Sequence, residues 1–228
     1  MNEGLRLRVL YVAMGAAAWV AYRLLGLRRT VIRDNLARSF PQVPAAERRS
    51  IAREFSRRQG ELAAEVFHAA RIGEAELRER VGIADAGMLA PADGARPLIL
   101  VGAHHCNFEW ALQRLSLEMP GRFVCLYKPL RNARVDAWMR RLRTRFGARL
   151  IPAKTVLREL AQARDVTAVG LIADQVPRTS PEKHWLRFLG QDTAFYMGPE
   201  LLGRALRGRV ALLRMRRLAR GRRRRSRP

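Results

Sequence analysis

"PLILVGAHHCNFEWALQRLSLEM" occupies residues 97–119, and its reading decides the fold. Its first seven residues carry no charge. A short, unbroken apolar run of this kind reads as a strand buried on both faces, as in the middle of a parallel sheet. The run stops on His104 and His105. A helical segment follows from Asn107 and is halted by Pro120-Gly121. The stretch is therefore a strand leading into a helix, with a polar cluster at the junction.

The same alternation continues downstream. "RFVCLYK", "ARLIP" and "TAVGLIAD" read as strands. Between them, "NARVDAWMRRLRTRF", closed by Gly147, and "TVLRELAQAR" read as helices; "GPELLGRAL" opens another and "RVALLRMRR" a last strand. Strands alternating with helices predict an α/β fold, a mostly parallel sheet covered by helices. In such folds chemistry gathers at the carboxyl ends of strands. His104, Tyr127-Lys128, Ile151-Pro152 and Asp174-Gln175 all fall there.

The junction admits several readings. His104, His105 and Cys106 offer metal-ligand chemistry, but no second ligand group stands at zinc spacing. Cys106 beside His105 suggests an activated thiolate. His104 and Glu109 suggest a general base: a carboxylate in the first turn of the helix can fold back on the imidazole, fix its tautomer and leave the other nitrogen free to take a proton. A plain structural histidine at a helix start fits as well, and Asn107 either braces the loop or caps the helix.

Upstream, Val9 to Tyr22 is apolar, Arg23 interrupts, and arginines flank both ends. This predicts an N-terminal membrane-associated helix, embedded or interfacial, with Trp19 and Tyr22 near the headgroups; a core helix of the soluble domain is the alternative. Next comes a helical segment in which Ile51, Phe55, Leu62 and Val66 share one helix face beginning near Pro44. The expected organisation is an anchor over residues 1–29, a helical lead-in over 30–96, an α/β core over 97–217, and a basic, disordered tail over 218–228.

The chain's 228 residues suffice for one such core. Its 44 Lys+Arg against 20 Asp+Glu give +24, nearly all of it arginine. Such a surface attracts anionic lipid, an acidic carrier protein or nucleic acid. A non-enzymatic nucleic-acid binder would explain the charge and the tail, but no helix-turn-helix or RNA-binding aromatic motif is visible, so no specific nucleic acid is expected. Cys106 and Cys125 show no paired spacing and fit a reducing compartment.

Five stretches together resemble the bacterial lipid A biosynthesis acyltransferases of the lauroyl/myristoyl type, within the lysophospholipid acyltransferase superfamily. The His-x4-Asp/Glu motif after a buried strand is matched by His104 and Glu109. "RRTVIRDNLARSFPQVPAAER", "LYKPLRNARVD", "GLIADQVP" and "FLGQDTAFYMGPELLGRAL" follow the family's other blocks in order. The resemblance covers roughly residues 1 to 217. The family's further strands and helices are replaced there by an arginine run, so the core is expected to be short at its C-terminal end.

The resemblance implies transfer of a fatty acyl chain from a thioester to a hydroxyl of a membrane glycolipid, at the cytoplasmic face of the inner membrane. The partners it implies are acyl carrier protein, the glycolipid acceptor and an anionic lipid surface. No cofactor or metal is expected; acyl carrier protein or acyl-CoA brings the chain as co-substrate. Attack is direct, so Cys106 is not needed. His104 would be the base and Glu109 its orienting partner. Lys128 and Arg131 would bind phosphate or the developing oxyanion, and Asp174 and Gln175 would shape the acceptor site. Thr193, Phe195, Tyr196 and Gly198 would line the acyl channel. A thioester hydrolase using Cys106 or an activated water is the remaining reading.

Overall fold

The computed structural model describes residues 3–90, 96–163, 165–175, 177, 183–220 and 222–225. In chain order its principal elements are α1 (Glu3–Arg23), α2 (Arg29–Ser39), α3 (Ala45–Ala69), α4 (Glu74–Arg80), β1 (Val81–Gly82), β2 (Leu98–Gly102), α5 (Phe108–Glu118), β3 (Phe123–Tyr127), α6 (Ala133–Thr144), β4 (Arg149–Pro152), α7 (Val156–Gln162) and β5 (Ala168–Ile172). There follow β6 (Lys183–Phe188), β7 (Gln191–Tyr196), α8 (Gly198–Ala205), β8 (Arg209–Leu212), β9 (Met215–Ala219) and β10 (Arg222–Arg225). The chain forms two compact units, Met1–Arg71 with His184–Ala194, and Ile72–Lys183 with Phe195–Pro228. The division falls inside the stretch expected as a helical lead-in, and the first unit takes in a segment distant in sequence.

In the first unit α1 packs antiparallel along α3. Ser56 Oγ donates to the Ala18 carbonyl at 3.4 Å, and the Tyr11 hydroxyl donates to the buried Glu65 carboxylate at 2.9 Å. Between these contacts the helices nearly touch: a Cβ on Gly60 would lie 2.7 Å from the Met14 carbonyl oxygen and 2.9 Å from Ala18 Cβ. Small residues therefore set the buried face of α3, which is Ala52, Gly60, Ala64 and Ala69 with Glu61, Glu65 and His68. This corrects the expected face: Ile51 and Phe55 point to solvent. Close backbone approach selects side-chain size over hydrophobicity here. Among the described residues α1 is the helix long and apolar enough to cross a membrane. Strands β6 and β7, which the sequence reading leaves unassigned, form a two-stranded sheet joined by Leu189-Gly190 at φ 50° and 72°.

The second unit is built on a five-stranded sheet in the order β4-β3-β5-β2-β8, with neighbouring strands parallel throughout. Alternate residues of each strand feed opposite faces. Leu98, Leu100, Phe123 and Cys125 pack with Leu115 and Met119 of the α5 side. Ile99, Val124, Ile151 and Val169 pack with Leu160 of α7 and Leu202 of α8 on the other. Burial on both faces is why these strands read as continuous apolar runs. The C-terminal segment departs from expectation, since its backbone is paired: β10 runs parallel to β1 and antiparallel to β9. Backbone pairing asks nothing of side-chain polarity, so an arginine run can form the middle strand of this three-stranded sheet.

Candidate active site

The strand order brings the candidate residues together. β5 lies between β2 and β3, so the end of β5 falls between the ends of the strands leading to His104 and Lys128. Gly102 pairs with Ile172 in the parallel register. Two residues further on, His104 stands beside Asp174. The His104 backbone N–H donates to Asp174 Oδ2 at 2.9 Å, and His104 Nδ1 lies 2.7 Å from Asp174 Oδ1. An ionised carboxylate only accepts, so Nδ1 carries the proton and Nε2 is left as the acceptor. The imidazole also meets the Phe108 ring edge-on, with centroids 5.0 Å apart. Side-chain exposures of 41% for His104 and 37% for Asp174 leave the pair open to a substrate.

The expected hydrogen bond between His104 and Glu109 is therefore replaced. Glu109 sits in the first turn of α5, 3% exposed, and its carboxylate is held by Arg143 of α6. Arg143 Nε donates to Oε2 at 2.9 Å and its terminal nitrogen to Oε1 at 2.6 Å. A buried carboxylate takes the cation that matches it bidentately, and the imidazole, one turn away, finds a freer partner. Burial works against the Arg143 charge and is the largest single effect, but the hydrogen bonds and charge attraction of Glu109, with Cys125 and Asp136 nearby, together outweigh it and the guanidinium pKa is raised. Asn107 caps α5, its Oδ1 accepting the Trp110 backbone N–H at 3.1 Å.

Beneath His104 a cavity of about 750 Å³ opens at the carboxyl ends of the strands. Its floor is apolar, with Leu100, Leu115, Phe123 and Gly170 among the lining residues. Its polar positions are His104, Lys128, Arg131, Arg143 and Gln175. Such a site takes a largely apolar ligand with an anionic or polar end. Of the residues expected along an acyl channel, Tyr196 and Gly198 line this cavity; Thr193 and Phe195 are not among its lining residues. The Thr193 hydroxyl instead donates to the Gln191 carbonyl at 3.1 Å. Asp174, expected to shape an acceptor site, is bonded directly to His104, while its neighbour Gln175 lines the cavity. Arg143 was missed in the sequence; the signal that could have found it is the need of a carboxylate buried in a helix's first turn for a cation.

The thiols stand apart from this pair. Cys125 is buried in the cavity wall, and burial pushes its pKa up. Cys106 holds a left-handed backbone at φ 57°, with Sγ 3.9 Å from the Met215 carbonyl oxygen. Among the described residues no three His, Cys, Asp or Glu side chains gather as metal ligands.

No individual curated protein matches the chain. A family model does, over residues 5–225, and so spans both units, the histidine pair and the cavity. The chain belongs to the bacterial lipid A biosynthesis acyltransferases.

Proposed function

We propose that this acyltransferase moves a fatty acyl chain from an acyl carrier protein thioester to a hydroxyl of a lipid A precursor, at the cytoplasmic face of the inner membrane. The observation that carries the reading is the His104–Asp174 pair at the mouth of an apolar cavity of about 750 Å³. The acyl chain lies along Leu100, Leu115 and Phe123, which removes its surface from water and leaves the thioester near His104. The exposed cations Lys128 and Arg131 suit the phosphates of the acceptor or of the carrier's prosthetic arm. Acyl-CoA, which ends in the same arm, is the alternative donor.

In the step, the acceptor oxygen attacks the thioester carbonyl carbon while His104 Nε2 takes the hydroxyl proton. Asp174 stabilises the imidazolium that forms by accepting from Nδ1–H. A cation at the mouth offsets the charge growing on the carbonyl oxygen. The tetrahedral species collapses by breaking the carbon–sulfur bond, and Nε2–H returns its proton to the leaving sulfur. The products are an ester and a free thiol, with no net proton change. Glu109 acts through Arg143, holding the guanidinium against the cavity wall.

The deciding experiment incubates purified protein with acyl carrier thioester, with and without a lipid A precursor. Ester formation that depends on the acceptor and vanishes in His104→Ala is expected. Full transfer by His104→Ala would overturn the mechanism, and thiol release without ester would make the protein a hydrolase.

A further inference from the structure

The packing of α1 against α3 fixes how the first unit can meet a membrane. On α1, Leu5, Val9, Val12, Trp19 and Val20 are exposed on the side away from α3, with Arg8 at the edge of this face and Arg23 at its end. Between those arginines, Val9 to Tyr22 rises only about 21 Å, against the ~30 Å of a bilayer's hydrocarbon core. The partner helix sharpens the point. The middle of α1, at Met14, Gly15 and Ala18, is pressed on Gly60. Arg57 and Arg58 lie within about 5 Å of Gly60 along α3 by helical rise. Arg57 pairs with Glu54 at 2.6 Å and Glu61 at 2.5 Å, and Arg58 with Glu54 at 2.6 Å. Arg57, Arg58 and Glu54 are each about half exposed. Were α1 to cross the bilayer with α3 beside it, this charged cluster would stand near the midplane, where charges on a helix face are heavily penalised.

From this geometry we infer that α1 and α3 lie in the plane of the membrane as one docking surface for an anionic bilayer. The apolar face of α1 enters the acyl boundary. The charged side of α3 stays in water or among headgroups, and Arg8 and Arg23 meet lipid phosphates from the two ends of the face. The inference rests on the reading that the protein works at a membrane, and it sets the N-terminus on the same side as the rest of the chain.

The test uses the full chain with an epitope tag at each terminus, in membrane vesicles selected for an accessible C-terminal tag. External protease should remove the N-terminal tag as well; a tag protected until detergent is added would show a crossing helix and overturn the inference. Neither outcome depends on acyl transfer, so the acyltransferase reading stands or falls separately. A second measurement follows partitioning onto preformed vesicles. Phosphatidylcholine vesicles containing phosphatidylglycerol should bind more than phosphatidylcholine alone, and Val12→Asp should lower binding about tenfold with helix content retained, from loss of one buried valine. Equal binding to both vesicles, or no loss in Val12→Asp, would overturn it.

Discussion

His104 and Asp174 meet twice: the carboxylate takes the histidine's backbone N–H through one oxygen and its ring Nδ1 through the other, at 2.9 and 2.7 Å. A side chain tied to both the backbone and the ring of its partner sets the direction of the imidazole as well as its tautomer. Asp174→Asn keeps the shape but offers an amide that can turn its N–H toward the ring. Transfer should fall ~10²–10⁴-fold, the usual span of general-base assistance. Steady-state rates at saturating donor check this; a loss under threefold would remove Asp174 from the mechanism.

Glu109 and Arg143 make a different prediction, because the carboxylate is buried and the guanidinium largely so. Glu109→Ala strands a guanidinium inside the fold and should cost about 3–5 kcal/mol of stability. Replacing both, as Glu109→Ala with Arg143→Leu, should recover most of it. Urea unfolding of the two single variants and the double variant gives the coupling. Glu109→Ala should lose activity together with stability, whereas Asp174→Asn should lose activity alone.

Gly170 is where cavity depth can be altered. A Cβ there would lie 2.9 Å from the Phe123 ring and 3.4 Å from Cys125 Sγ, both lining the cavity. Gly170→Val should fill the floor and slow transfer of the longest acyl chains more than shorter ones. Relative rates across a panel of acyl lengths measure it; a uniform loss would place Gly170 outside the chain's path.

Cys125 and Cys106 should separate in labelling. Burial raises the Cys125 pKa, so its thiol stays neutral through mildly alkaline pH and should resist alkylation in the folded protein. Cys106→Ala should remove the fast labelling and leave transfer intact. The sign for stability follows. Above the ordinary thiol pKa the unfolded chain loses a proton that the folded chain keeps, so the Cys125 contribution is whole at neutral pH and declines as pH rises.

The strands were legible because both of their faces are buried, which makes "LILVG" and "FVCLY" unmistakable. Their order was not. Nothing local to "GLIADQVP" says that β5 threads between β2 and β3, and that placement hands His104 to Asp174 in place of Glu109. Arg143 stayed hidden for a similar reason, since it reaches Glu109 across 34 residues of sequence. Periodicity misled on α3, where the tight crossing at Gly60 buries small residues and leaves Phe55 outside. Strand β6 was missed because "KHWLRF" is exposed throughout and lacks the alternation that a one-sided core imposes.

The Gly102–Ile172 pairing turns the site into a matter of reading frame. A slip of β2 past β5 by one residue would carry His104 about 3.3 Å along the strand axis and turn it to the opposite side of the sheet. The tract from α5 to α7, by contrast, can lengthen or shorten in its loops without disturbing that frame. Sequence drift in the α5–β3 and α6–β4 turns, away from Lys128 and Arg131, should be cheap, while an inserted residue within "LILVG" or "AVGLI" should silence the enzyme even where the chain still folds.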